Sequence, residues 1–257
     1  MTRVISGVVL AAAALAAILF LPVFWLRLLA AAVAAVAADE YLAITAPDRG
    51  PMRRVLGLAV AWVCWEASAM ALPNWFAIVA FVIGWLAVAV LWGNRTIQSA
   101  AAELVAPVYI GIPLGMLAAG QRLSGWQATL LLLGTVVVSD SAQYYAGRAF
   151  GRRPLAPAIS PKKTIEGAIG GVAFGTLFMT VAGSYVFPFS APARAALGAV
   201  IVTLGILGDL FESRLKRAAG MKDSSQLIPG HGGVLDRIDA LLFAIPAFYY
   251  MLLRSAV

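Results

Sequence analysis

Nine apolar runs, each about as long as a bilayer-crossing helix, follow one another with little but Pro, Gly or charged residues between them. They fall near 4–21, 24–44, 55–72, 74–92, 101–119, 125–147, 165–187, 195–217 and 236–253. A helix crossing the hydrocarbon core needs roughly 20 mostly apolar residues. Inside lipid the backbone must also satisfy its own hydrogen bonds. The pattern predicts an all-α fold, a polytopic membrane bundle of about nine transmembrane helices. Composition agrees: 12% of residues are charged, against about 25% in soluble domains. The splits around Pro22 and at Leu72-Pro73-Asn74 are the least marked boundaries.

The first run, preceded by Arg3 and followed by an Ala-rich stretch before Asp39, also has features of a secretory signal. The remaining apolar runs make little sense in a secreted protein. Cys64 is the single cysteine, so no disulfide forms within the chain, and its apolar surroundings predict a buried packing residue.

A net charge of +7 invites a nucleic-acid partner, but its placement argues otherwise. With nine spans, the N-terminus and the loops near 45–54, 93–100, 148–164 and 213–237 share one side. That side carries fifteen of the nineteen Lys and Arg residues, and the other carries Arg27, Arg122, Arg194 and Arg254. Positive charge marks the cytoplasmic side, so the N-terminus and both polar loops are expected there. No nucleic-acid partner is expected.

The two halves of the chain differ. Residues 1–135 read as transmembrane helices forming the wall of the bundle, with a face that would suit a homodimer; residues 136–257 read as the catalytic region with its two cytoplasmic loops. Asp39-Glu40 and Glu66 are exceptions in the first half. Ionisable residues at membrane depth are candidates for function, although Asp39-Glu40 is equally explained as a solvated span end. Gly167, Gly171 and Gly175 recur every four residues, a spacing that lets helices approach closely. No internal repeat is visible, which speaks against the repeat logic of many secondary transporters.

Most of the polar chemistry lies between Ser213 and Asp239. That stretch holds the single histidine, His231, two of the four lysines and three of the twelve acids. Just before and into it, Asp209, Glu212, Ser213 and Lys216 share one helix face by their i, i+3, i+4, i+7 spacing. Pairing of Asp209 or Glu212 with Lys216 or Arg217 would by itself satisfy these charges. Lys222-Asp223 leads into Pro229-Gly230-His231-Gly232-Gly233, where glycines permit close approach or positive φ. An ordinary turn with His231 at a cap or on the surface reads equally well. Asp236-Arg237-Ile238-Asp239 opens the last helix and resembles a capping box. With Asp209, its two acids also make a set for a divalent ion, since Mg²⁺ usually takes one or two carboxylates, water and phosphate oxygens.

The second loop runs from Asp140 through Gly147 and Arg148 to Ser160-Pro161-Lys162-Lys163-Thr164-Ile165-Glu166-Gly167. A lysine and a hydroxyl just ahead of a helix suit phosphate. No P-loop pattern is present, and alone the loop would be ordinary cytoplasmic basic charge.

The stretch Ser213-x-Leu215-Lys216-Arg217, Lys222-Asp223, Ser225, Ile228-Pro229, His231-Gly232-Gly233, Asp236-Arg237-x-Asp239 resembles the signature of the phosphatidate cytidylyltransferase (CDP-diacylglycerol synthase) family. Gly208-Asp209 through Ser213 and Ser160-Pro161-x-Lys163-Thr164-x-Glu166-Gly167 are similar to the same family. The clear likeness covers roughly 139–245. Gln143 departs from it, since a small residue is expected before Tyr144, and this leaves the role of Asp140 open.

The resemblance implies a Mg²⁺-dependent reaction, with one ion or two, at the cytoplasmic face of a bacterial-type inner membrane. CTP and phosphatidate give CDP-diacylglycerol and pyrophosphate. Asp209, Asp236 and Asp239 are the expected metal ligands. Lys216, Arg217 and His231 join them as catalytic candidates, His231 near the leaving pyrophosphate. Ser160, Lys163, Thr164, Glu166, Ser213, Lys222, Asp223 and Arg237 are expected to bind substrate. Both substrates are anions and the phosphate nucleophile is largely ionised at neutral pH, its second pKa being about 6. Positioning and charge neutralisation therefore carry the catalysis. Three other readings compete: a related CTP-using lipid enzyme (a polyprenol or phytol kinase, or another phospholipid cytidylyltransferase), an anion transporter, and a non-catalytic scaffold.

Overall fold

The computed structural model describes residues 2–47, 50, 52–69, 79, 83–85, 97–228, 230 and 232–255. It is a helical protein. The elements are α1 (Thr2–Phe20), α2 (Val23–Thr45), α3 (Met52–Ala69), α4 (Ile97–Ala106), a π-turn (Pro107–Gly111), α5 (Ile112–Phe150), β1 (Pro154–Ala156), β2 (Ser160–Thr164), α6 (Ile165–Ala182), α7 (Ala191–Ala218) and α8 (Leu235–Ser255). Among the described residues, the antiparallel β1–β2 hairpin is the departure from the all-α expectation. Its cause is local: Pro154, Pro157 and Pro161 lack backbone donors and break helix between α5 and α6.

Among the described residues, five stretches are long and apolar enough to cross a membrane: Val23–Thr45, Ser99–Phe150, Ile165–Tyr185, Ala191–Ala218 and Leu235–Ser255. This supports a multi-pass membrane protein. The apolar run expected at 74–92 lies largely outside the described residues. Ser99–Phe150 has 52 residues, which at 1.5 Å per residue is roughly 78 Å, more than twice the hydrocarbon core. It breaks at Gly125, whose φ of 76° and ψ of 179° leave helical geometry. Pro107 sits at the start of the π-turn, where its missing N–H accompanies the local widening.

The chain divides into two compact units that are not contiguous in sequence. One holds residues 1–119 and 219–237, the other 120–218 and 238–257. In the first, α2, α3 and the π-turn region pack through small residues. A Cβ added at Gly57 would lie 2.8 Å from the Ala35 carbonyl oxygen, and one at Gly111 would lie 2.9 Å from that of Val60. Cys64 is buried here, as its apolar setting predicts. Arg27, on α2, donates to Ser68 Oγ (2.8 Å) and the Trp65 carbonyl (3.2 Å), with its guanidinium 3.9 Å from the Trp65 ring centre.

In the second unit, the Gly167/Gly171/Gly175 stripe is buried. A Cβ at Gly167 would press on the Gln143 carbonyl, one at Gly171 on the Gln143 side chain, and one at Gly175 on Val202 and Ser139. The stripe is consumed by packing α6 onto α5 and α7 within the chain. Close helix approach is thus what the glycine spacing specifies, and it brings the N-terminus of α6 against the end of α5.

Candidate active site

Each unit gathers acidic and polar side chains into its own cluster. The first cluster forms in the 120–218/238–257 unit around the β1–β2 hairpin. Thr164 is the N-cap of α6: its backbone is extended and its Oγ1 accepts from Gly167 N at 3.1 Å. Gly147 lets α5 come close, since a Cβ there would lie 3.0 Å from Thr164 Oγ1. Glu166 closes the same open end of the hairpin, its Oε2 accepting from Arg152 N (3.0 Å) and Arg153 N (3.2 Å). These contacts orient Lys163, whose ammonium pairs with the Asp209 carboxylate on α7. Ser213 Oγ donates to Asp209 Oδ1 at 3.3 Å, so the turn-to-turn spacing on α7 delivers its hydroxyl to the same acid.

Glu212 and Lys216 form a separate pair at 2.5 Å, with Glu212 fully buried. Of the pairings that α7 alone allows, this one is realised; Asp209 takes its cation from the hairpin instead. Arg217 Nε donates to the Ile159 carbonyl at 3.4 Å, a long contact that ties α7 to the hairpin turn. Asp140 lies within electrostatic reach of Lys163 and Asp209, and its Oδ1 accepts from Gln143 Nε2 at 3.0 Å. Asp239 lies within electrostatic reach of Asp209, Lys216 and Lys163, while its Oδ1 accepts from Ala240 N at 2.8 Å.

A cavity of about 570 Å³ opens over this cluster, lined by Asp140, Tyr144, Arg148, Lys162, Lys163 and Asp209, with Ser160 and Thr164 also in its wall. Three cations and a helix N-terminus facing two carboxylates suit a polyanionic ligand accompanied by a cation. Among the described residues no three His, Cys, Asp or Glu side chains converge as a ready-made metal cage. Mg²⁺ does not require one, because it keeps waters and phosphate oxygens beside one or two carboxylates. The donor chemistry fits: Asp209 already holds a cation, the Lys163 ammonium, and the Asp239 carboxyl group lies within electrostatic reach of both.

The second cluster forms in the 1–119/219–237 unit. Asp236 Oδ2 accepts from Ser224 N (2.9 Å), Ser224 Oγ (2.8 Å) and Gly233 N (2.8 Å). The expected capping box between Asp236 and Asp239 is replaced by this reach backward onto the loop. Ahead of Asp236, Ile228 N donates to Gly232 O at 2.8 Å, with Gly230 and Gly232 at φ 76° and 80°. Lys222, Asp223 and Arg237 are exposed around the turn. His231 and Pro229 lie outside the described residues.

Glu40 is the buried acid of this cluster that sequence reasoning undervalued. It is 5% exposed and accepts from Ser225 Oγ (2.6 Å), Leu235 N (2.7 Å), Val234 N (3.1 Å) and Ser224 Oγ (3.2 Å). Its placement within an apolar span was the available signal. Asp39, its neighbour, approaches Arg53 at 3.9 Å. Arg148 and Tyr144 were also passed over; both follow Asp140 at one- and two-turn spacing on α5, which brings them into the same cavity wall.

Residues 1–254 match the family described as "Cytidylyltransferase family". The chain belongs to the cytidylyltransferase family. Over 123 residues it is 42% identical to a phosphatidate cytidylyltransferase of Aquifex aeolicus, covering 48% of this chain and 46% of that protein. Over 128 residues it is 47% identical to one from Haemophilus influenzae (47% and 44% covered), and over 173 residues 38% identical to one from Staphylococcus aureus (66% of each). In these comparisons the chain spans about half to two thirds of the length of the relatives it matches. The membership agrees with the resemblance carried by the 213–239 motif.

Proposed function

We propose that this protein transfers the cytidylyl group of CTP to phosphatidate, giving CDP-diacylglycerol and pyrophosphate. The observation that carries the reading is the Lys163–Asp209 pair in a cavity walled by Arg148, Lys162 and the Thr164-capped N-terminus of α6. Family membership and the names of the relatives supply the nucleotide and the lipid.

In the reaction, an oxygen of the lipid phosphate forms a bond to the α-phosphorus of CTP. The bond from that phosphorus to the bridging oxygen breaks, and pyrophosphate leaves with the electron pair. Lys163, Lys162 and Arg148 neutralise the approaching anions, and Thr164 together with the α6 amides orients a phosphate at the helix N-terminus. Lys216, Arg217 and Ser213 hold the α7 face in register. Lys222, Asp223 and Arg237 are the substrate contacts assigned to the 219–237 segment, with His231 beside the leaving pyrophosphate. Asp209 and Asp239 would hold Mg²⁺, which supplies charge neutralisation on the triphosphate when bound. Asp236 holds its loop through Oδ2, which faces Ser224 N, Ser224 Oγ and Gly233 N, and joins Asp209 and Asp239 as a candidate ligand of that ion.

The same reading places nine spans in a bacterial-type inner membrane, with the N-terminus and both polar loops in the cytoplasm. It counts Ser99–Phe150 as two spans divided at Gly125 and adds α1, α3 and the run at 74–92 to the remaining four. A homodimer would have to use apolar faces other than the α6 glycine stripe.

The test is pyrophosphate release by purified protein in detergent–phosphatidate micelles with CTP, with and without Mg²⁺. Turnover that requires phosphatidate and Mg²⁺ and places the CTP α-phosphate in the lipid is the expected result. Label entering lipid from the γ-phosphate alone would identify a kinase. No turnover from folded protein, with anion flux into vesicles, would replace the enzyme by a transporter.

A further inference from the structure

Glu40 sits in an unusual position for an acid: on an apolar helix, 5% exposed, with four donors on its two oxygens. A carboxylate presents about four lone-pair sites; two amides and the Ser225 hydroxyl take three of these, and the single proton of Ser224 Oγ is divided between Glu40 (3.2 Å) and Asp236 (2.8 Å). Two of its donors are backbone amides at the start of α8, where a helix leaves N–H groups unsatisfied and where negative charge is favoured. The other two are the hydroxyls of Ser224 and Ser225, on the far side of the 228–232 turn. Ser224 is shared with Asp236, which also takes Gly233 N. Gly233 is pressed into this arrangement: a Cβ there would collide with Ser224 Oγ and with the Glu40 carboxylate. Ser225 Oγ accepts in turn from Leu227 N at 3.1 Å, which carries the constraint into the turn itself.

We infer that Glu40 is a positioning residue for cytidylyl transfer: its buried carboxylate clamps the two ends of the 224–235 loop and so fixes how the 219–237 segment presents Lys222, Asp223 and Arg237. The inference rests on the proposed reaction for its consequence in rate, and on the hydrogen bonds alone for the clamp. Glu40 acts through the loop and touches no substrate. Gln in its place keeps one acceptor oxygen but turns the other acceptor into a donor facing the serine hydroxyls and amides. The clamp then loosens without a change in side-chain volume. Ala removes it altogether.

The experiment compares wild type, Glu40→Gln, Glu40→Ala, Ser225→Ala and the Glu40→Gln/Ser225→Ala double variant as full-length protein in detergent. The measurements are kcat and KM for CTP and phosphatidate, Tm, and hydrogen–deuterium exchange. Glu40→Gln is expected to fold, to exchange faster over 224–235 with 160–182 unchanged, and to lose about tenfold or more in kcat/KM, the scale of one charge-assisted hydrogen bond. Glu40→Ala is expected to lose more than Glu40→Gln. The double variant is expected to lose about as much as Glu40→Gln, since both changes remove the same bond. A folded Glu40→Gln protein with wild-type kcat/KM overturns the inference, as does a lowered Tm with unaltered turnover per folded molecule. If the wild type itself releases no pyrophosphate, the proposed reaction falls while exchange still judges the clamp: unchanged protection over 224–235 in Glu40→Gln overturns that as well.

Discussion

Asp209 and Glu40 are both acids set on apolar helices, yet they meet their counter-groups in opposite ways. Asp209 is about a third exposed and pairs directly with the ammonium of Lys163, a long flexible side chain, in the wall of an open cavity. Glu40 is buried and faces amides and hydroxyls of one loop. An ion pair of the first kind contributes only about 0–1 kcal/mol to stability, because water solvates both partners and side-chain entropy opposes the pairing. It is therefore free to exchange one cation for another, as the proposed binding of Mg²⁺ and CTP would require. An acid of the second kind cannot exchange its donors without leaving several buried polar groups unsatisfied, so its energy goes into fixing a shape. One unit carries charge that can be redistributed, and the other carries charge that holds geometry.

Substitution at Asp209 should separate the two roles most sharply. We expect Asp209→Asn to lower turnover about 100-fold or more, the scale of removing one preorganised electrostatic contact, with Tm nearly unchanged. A Tm collapse in this variant would erase the contrast. Glu40→Ala should do the reverse in thermal melts, with a stability loss of about 3 kcal/mol from stranding two amides and two hydroxyls. A melt indistinguishable from wild type would show the clamp to be unimportant for folding. Gly171→Leu is the next test, since its side chain would enter the space of Gln143 and Ser139. Overpacking there should cost about 1–3 kcal/mol and lower turnover by moving α6 away from α5; a stable, active variant would show that the glycine stripe is not a packing contact. The smallest effect belongs to Thr164→Ala, which removes the α6 cap and should cost about 1 kcal/mol. Its KM for CTP should rise more than its kcat falls if this helix end binds phosphate.

The helices and their small-residue stripe were legible because the rules involved are local. Apolar length reports a span, and a four-residue glycine spacing reports a face. The stripe then appeared as expected, buried against α5 and α7. The hairpin at 154–164 was not anticipated, although its three prolines mark where helix stops. Lys163, Thr164 and Asp209 were chosen from the sequence and are brought together. Asp236 was read as a capping or metal-binding acid, and its Oδ2 reaches back to Ser224 and Gly233, contacts that composition and spacing did not announce. Glu40 was visible only as an ionisable residue near a span end, a description that solvation would have satisfied equally well.

What the sequence by itself determined is the membrane-helical class, the family, and the identity of the groups able to manage phosphate. These depend on composition, period and motif spacing, which are properties of neighbours along the chain. Only the tertiary structure decided which charge meets which. Lys163 finds Asp209 from 46 positions away, and Glu40 finds Leu235 from 195. A buried acid must take whichever donors the packed helices bring within about 3 Å, and that choice is made by chain closure rather than by any local pattern.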